Sequence, residues 1–280
     1  MHTVAGLPRL ASVDDMLARM IVVSRFNENV SWVPETATAW GDGGALYAIY
    51  NKEQPDGAYN VPVNKGAEGS AYLRFVIDHY DRLPEWTFFV HGNETAWHHD
   101  GTLGERLAAA WGLVMATQRT YVEINNFHQS AGLDKARGPL LSADEPNATR
   151  RVTPARLQEW RQEYLEPHVD FRKAAADWVR GSACCAQFLV HRGQIAQYPR
   201  EFYQRLYDWT VDPARDDYVE PRFLEYAWHV IWGDDEARHP DPSLRWCGRM
   251  QTAPGHTLTR PCTAFERAQQ DYELMLEDEL

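Results

Sequence analysis

The chain has 280 residues, 44% of them hydrophobic and 24% charged, which is ordinary for a globular protein and long enough to bury a sizeable core. Its formal net charge of −12, from 40 acidic against 28 basic residues, repels phosphate backbones and anionic lipid surfaces. Nucleic acid is therefore not expected as a partner, nor is electrostatic attachment to a membrane.

No stretch approaches the ~20 apolar residues that span a bilayer, so no transmembrane segment is expected. The segment Met1 to Leu17 carries charges and a Pro and does not read as a signal peptide, so the expected location is the cytoplasm. In that setting the sequons Asn93-Glu94-Thr95 and Asn147-Ala148-Thr149 carry no weight. Four cysteines, Cys184, Cys185, Cys247 and Cys262, form no CxxC pair, and free thiols are expected, with a Cys247–Cys262 bridge left open. Trp and Tyr number 11 and 13; such rings stack on sugar faces, though for any single one the plainer reading is a core side chain.

Apolar, β-branched runs predict strands at Met20–Ser24, Ala45–Tyr50, Thr87–Val90, Thr120–Ile124 and Ala186–Val190. Helical spacing falls between them, at Tyr72–Tyr80 and Leu103–Met115. Gly132 to Pro154 is rich in Gly, Pro, Asp and Ser and reads as a long loop. Helices follow at Pro154–Glu163, Pro167–Arg180, Arg200–Trp209 and Arg222–Trp232, the last two amphipathic. Residues 262–280, with six acids and one Arg from Glu266 onward, read as a helical tail with a solvated face. The alternation predicts an α/β fold with a mainly parallel central sheet covered by helices on both sides. No break in composition marks a second domain, so 1–280 is read as one unit with its core at about 20–233.

In such sheets ligands sit at the carboxyl ends of the strands, which directs attention to the residues after each one. After the first strand come Ser24, Arg25, Asn27 and Glu28, with Arg25 suited to phosphate. Lys52 follows the second strand and would reach a phosphate or a base. Asn64 to Ser70 precedes a helix whose free N–H groups could meet an anion; the simpler reading is that Ser70 or Glu68 caps the helix.

After the third strand, His91, Asn93, Glu94, His98, His99 and Asp100 fall within ten residues. Two readings stand for this cluster, a divalent metal site and direct contact of His98 and His99 with phosphates; structural histidines are the plain alternative. Glu225 lies among aromatic residues near the start of a mostly apolar helix, where desolvation would raise its pKa and make it a better base. Pairing with His229 at i+4 is the competing role.

The blocks Ile21 to Glu28 with Ser31-Trp32, Ile49 to Lys52, Asn64 to Tyr72, Phe89 to His99, Cys184 to Phe188 and Phe223 to Gly233 resemble a family catalogued as a domain of unknown function in fungi, algae and large algal viruses. Its chlorovirus members are glycosyltransferases that build capsid glycans, with xylose transfer from UDP-xylose among their activities. A weaker similarity links Gly181–Arg192 and Tyr218–Ile231 to the core-2 N-acetylglucosaminyltransferase and protein O-xylosyltransferase family. There a strand precedes a Pro-Asp-Glu motif whose Glu is the base. That motif is absent here, and Glu225 falls near its place.

The resemblance implies a GT-A-like (Rossmann-like) domain, a UDP-sugar donor and an oligosaccharide acceptor. It implies a donor site of Ser24, Arg25, Asn27, Lys52, Asn64, Glu68, His91, Asn93, Glu94 and His98, with Glu225 as the inverting base. The DxD that a metal-dependent GT-A enzyme usually carries is missing from the His91–Asp100 segment, so Mn²⁺ or Mg²⁺ and a metal-free mechanism are both open. The competing expectations are a hydrolase holding a metal on His91, Glu94, His98 and Asp100, and a carbohydrate-binding module without chemistry.

Overall fold

A computed structural model of the chain describes residues 19–40, 44–54, 56–57, 59–99, 101–125, 128–129, 154–169, 182–183, 185–225, 227–233, 246–253 and 256–261. Its elements run β1 Arg19–Arg25, α1 Val33–Ala39, β2 Leu46–Asn51, α2 Ala67–His79, β3 Trp86–His91, α3 Leu103–Thr117, β4 Tyr121–Glu123, β5 His128–Gln129 and α4 Pro154–Trp160. They continue with β6 Ser182–Ala183, β7 Phe188–His191, α5 Arg192–Ile195, α6 Arg200–Val211, α7 Pro221–Glu225, α8 Trp228–Ile231, β8 Trp246–Ala253 and β9 His256–Pro261. The long loop expected from Gly132, most of the helix expected at Pro167–Arg180 and the tail expected at 262–280 lie outside the described residues.

Five strands form one sheet in the order β2-β1-β3-β7-β4. β1 pairs in parallel with β2 and with β3, and β7 runs antiparallel between β3 and β4. β1, β2, β3 and β4 therefore all point the same way. The apolar runs are long enough to bury both faces: Met20 to Val23 and Phe88 to Val90 are at most 1% exposed.

One face packs Ile21, Val23, Phe88, Val90 and Leu189 against Trp32, Val33 and Trp40 around α1 and Leu103, Leu107 and Leu113 of α3. The other packs Val22, Tyr50, Phe89, Phe188 and Val190 against Tyr72, Phe75 and Val76 of α2, Phe202 and Leu206 of α6, and Trp228 and Trp232. Helices thus cover both faces, and the chain leaves β1 toward β2 on one side and toward β3 on the other. The strand order reverses between β1 and β3, and the crevice at their carboxyl ends is the topological switch point.

Helix ends follow local chemistry. Thr102 caps α3 in a reciprocal capping box with Glu105. α2 opens differently from the expectation. Its N-cap is Gly66 in the left-handed region (φ 78°), and no side chain caps it. Ser70 Oγ instead donates back to the Lys65 carbonyl at 2.5 Å. A Cβ on Gly66 would stand 2.2 Å from Thr210 Cγ2, so close approach as well as φ requires glycine there.

The single amphipathic helix expected over Arg222–Trp232 is two short helices, α7 and α8. Ala227 N–H bonds to the Leu224 carbonyl, and Ala227 to Gly233 are buried throughout. Aromatic stacking of Trp228 on Trp232 (4.5 Å between centroids) and of Trp232 on Phe89 (5.3 Å) sets this segment inside the core, and tertiary packing overrides the helical period.

Among the described residues no helix is long and apolar enough to cross a membrane. Cys185 is disulfide-bonded, contrary to the expectation of free thiols. The side chains of the other three cysteines lie outside the described residues.

Candidate functional site

The register of the sheet lays a row of polar groups along its carboxyl edge. Ser24 stands opposite Tyr50 and His91, and Arg25 opposite Asn51. β7 begins at this same edge, so Gln187, just before it, meets the ends of β3 and β4. His91 N–H donates to Gln187 Oε1 at 3.0 Å, and Gln187 Nε2 donates to Asn125 Oδ1 at 2.9 Å and lies 3.1 Å from His98 Nε2.

Gln187 is 1% exposed. Its amide orientation follows from those contacts: with both Nε2 hydrogens donated, His98 Nε2 must accept, and the His98 proton sits on Nδ1. Burial, with His91 and His99 nearby, holds His98 down to about 3, so the ring is neutral. His91 is likewise held down to about 4, chiefly by burial. His98 Nδ1 and His91 Nε2 are both buried without a hydrogen-bond partner.

Two carboxylates complete the crevice. Glu68 lies in the first turn of α2, and Glu225 ends α7. Gly69 makes their proximity possible, since a Cβ there would stand 2.9 Å from Leu224 Cδ1. Glu225 Oε1 accepts from the Cys185 N–H at 2.8 Å. That amide is aimed by an uncommon backbone: Cys185 (φ 77°) and Ala186 (φ 45°) are consecutive non-glycine residues in the left-handed region.

Burial first, and then the charge of Glu68, push Glu225 up to about 7; the Cys185 N–H and Arg222 oppose this. Burial also raises Glu68, but its own backbone N–H, Lys52 and Arg222 favour its charged form. Glu68 thus has more groups supporting its charge, and Glu225 is the member that holds a proton toward neutral pH.

Lys52 is buried, and its Nζ donates to the carbonyls of Lys65 (3.0 Å) and Ala67, stapling the loop before α2. Desolvation lowers it to about 8, while Glu68, Asp217 and Glu28 support its charge. His91 Nε2 lies 3.9 Å from Glu68 Oε2. Lys52, Glu68, His91, His98 and Glu225, which the sequence singled out, therefore meet at one crevice.

Others do not join them. Arg25 spends its guanidinium on the carbonyls of Glu28 (2.8 Å) and Phe26 (3.1 Å), on Asn51 Oδ1 (2.9 Å) and on Glu53 (3.3 Å), which orders the loops after β1 and β2. Ser24 is buried within the strand end. Asn27, Asn64 and Asn93 are exposed. Glu94 lines a separate cavity of about 370 Å³ together with Trp32, Trp40, Glu105 and Trp111.

Of the four residues offered as a metal site, His91 and His98 lie side by side, with ring centroids 5.5 Å apart. Glu94 lies at that other cavity, His98 is engaged with Gln187, and Asp100 is outside the described residues. Among the described residues no group of three or more His, Cys, Asp and Glu is placed to hold a metal ion.

Gln187 and Arg222 carry roles that the sequence reading did not assign. The available signal was a lone Gln immediately before a buried strand, where an unpaired amide would be costly.

The family described as "Protein of unknown function (DUF3431)" matches residues 20–248, most of the chain and the whole of this crevice. The chain belongs to this family. No curated protein and no solved structure matches it. The family match covers both the switch-point strands β1 and β3 and the α7 segment that carries Glu225, so the carboxylate pair lies inside the family's own unit rather than in an appended region.

Proposed function

We propose that the chain is an inverting glycosyltransferase, GT-A-like in its donor site, that moves a sugar from a nucleoside diphosphate sugar to a glycan hydroxyl with Glu225 as base. The observation that carries this reading is the Glu225 carboxyl. It is desolvated, beside a second carboxylate, oriented by a backbone N–H, and poised at about 7 next to the switch-point crevice. A general base works best with its pKa near the working pH.

In the proposed step the second oxygen of Glu225 takes the proton of the acceptor hydroxyl. The hydroxyl oxygen bonds to the anomeric carbon from the face opposite the diphosphate. The anomeric C–O bond breaks, and the nucleoside diphosphate leaves with the electron pair. Neutral His98 and His91 offer unused ring nitrogens toward the developing charge, and Lys52 adds a cation. The resemblance to chlorovirus enzymes makes UDP-xylose the first donor to try.

The test is transfer from a panel of UDP-sugars to oligosaccharide acceptors by the wild type and by Glu225→Gln. The variant is expected to lose about 10²-fold or more in turnover while still binding the donor. Near-normal turnover would move the base elsewhere, with Asp100 and Glu123 next in line.

A further inference from the structure

We infer that the cavity between α1 and α3 is a carbohydrate-binding subsite that holds a neutral glycan away from the transfer crevice. The inference does not depend on Glu225 or on the transferase reading.

The cavity, of about 370 Å³, is of a size with small-ligand pockets, which run from roughly 300 to 1,000 Å³. It lies on the face of the sheet covered by α1 and α3, whereas Glu68 and Glu225 belong to α2 and α7 on the other face. Gly104 lets the two helices approach, since a Cβ there would stand 3.1 Å from Thr36 Oγ1. The wall combines Trp32, Trp40 and Trp111 with the carboxylates of Glu35, Glu94 and Glu105, and among the described residues it carries no Lys or Arg.

The rings are held in place before any ligand arrives. Trp32 Nε1 donates to the Gly92 carbonyl at 2.9 Å. Trp40 and Trp111 meet edge to face at 5.7 Å, and the Arg19 guanidinium lies 5.9 and 5.2 Å from their centroids.

Donors and acceptors decide the occupant. Trp40 is 3% exposed, and its Nε1–H is buried with no acceptor, which costs stability until an acceptor meets it. The carboxylates of Glu35 and Glu94 accept no hydrogen bond among the described residues, while Glu105 is committed to the Thr102 cap. An anion is repelled by these carboxylates. An organic cation suits carboxylates and rings but has no acceptor for the indole N–H. A sugar hydroxyl both donates and accepts, and the C–H face of a pyranose packs on Trp. Of the three, a neutral polyhydroxyl ligand is the one that satisfies both kinds of group.

The test is calorimetric titration of the full chain with xylohexaose, cellohexaose and mannohexaose, with tetramethylammonium as the cation and inorganic phosphate as the anion. Binding of at least one oligosaccharide, and of neither ion, is expected. Glu94→Ala should weaken that binding about tenfold or more, because hydrogen bonds to a charged group are lost. Trp40→Phe keeps a ring and removes the N–H, and should weaken it about fivefold. Should Trp40→Phe fail to fold, half-buried Glu94 carries the test, with an unchanged melting temperature expected for its variant.

No oligosaccharide binding at about 10 mM, tighter binding of tetramethylammonium than of any oligosaccharide, or oligosaccharide binding untouched by the variants would overturn the inference. UDP is titrated in parallel. A chain that binds an oligosaccharide through Glu94 but no UDP keeps this subsite and loses the transferase reading, and one that binds UDP but no oligosaccharide does the reverse.

Discussion

Gly69 of α2 faces Leu224 of α7 so closely that a Cβ at position 69 would stand 2.9 Å from Leu224 Cδ1. Leu224 is fully buried and cannot swing away. This contact fixes how near the neighbouring residues Glu68 and Glu225 come, and so sets the electrostatics of the crevice. Gly69→Val gains a few tenths of a kcal/mol in helix propensity but overpacks a closed contact, which costs about 1–3 kcal/mol. A net loss of stability is expected in chemical denaturation, together with a lower Glu225 titration as the helices part. An equally stable variant would mean that the helices do not touch as described.

Glu225 is raised in the folded chain from an ordinary carboxylate value to about 7. The folded state therefore prefers the protonated acid. Below the unfolded value the group has no effect on stability. As pH rises from there toward 7 the unfolded chain ionises first, and stability falls by about 3 kcal/mol in total. Glu225→Gln removes that loss, so the variant should gain melting temperature relative to the wild type on going from about pH 5 to about pH 8. A constant difference across that range would show that the carboxyl is not desolvated.

The histidine pair has the opposite sign. His98 and His91 are lowered to about 3 and about 4, below the ordinary imidazole value of 6.5. Their neutral form supports the fold fully above 6.5, and stability is lost as pH falls from there toward 4, because the unfolded chain takes up protons first. His98→Gln should flatten part of this acid loss in melting curves, whereas an unchanged slope would place the charge uptake on other groups.

Gln187 joins His91, His98 and Asn125 from a buried position. Gln187→Leu keeps volume and leaves three buried polar groups without that partner, at roughly 1–3 kcal/mol for each unsatisfied group. A loss of several kcal/mol is expected in denaturant unfolding. The more local readout is His98 in NMR, whose Nδ1–H tautomer should no longer be fixed. A single retained tautomer would contradict the assignment.

The strands were legible because β1 and β3 are continuous apolar runs, and such runs bury both faces of a sheet. The direction of β7 was not legible, since an apolar run carries no sign of direction. The break between α7 and α8 was equally hidden: no Pro or Gly marks it, and it arises from Trp228 and Trp232 seeking aromatic partners on the sheet.

At the site, the positions of His91, His98 and Lys52 followed from the rule that chemistry gathers at strand ends, and that of Glu68 from the segment that opens a helix. Arg25 orders its own loop, which a charged residue at a strand end does as readily as it meets a ligand, and the sequence carries no sign of which. The Cys185 disulfide could not be read, since pairing depends on distances that spacing does not contain.

Donor binding is tested most directly by thermal melting of the purified chain against nucleotides and nucleotide sugars, with and without Mn²⁺ or Mg²⁺. A ligand that binds only the native state raises the melting point by mass action. A rise with UDP and a larger or sugar-selective rise with a UDP-sugar, retained in Glu225→Gln, are expected. A chain that responds to no nucleotide, but to free sugar or metal alone, would contradict the transferase reading.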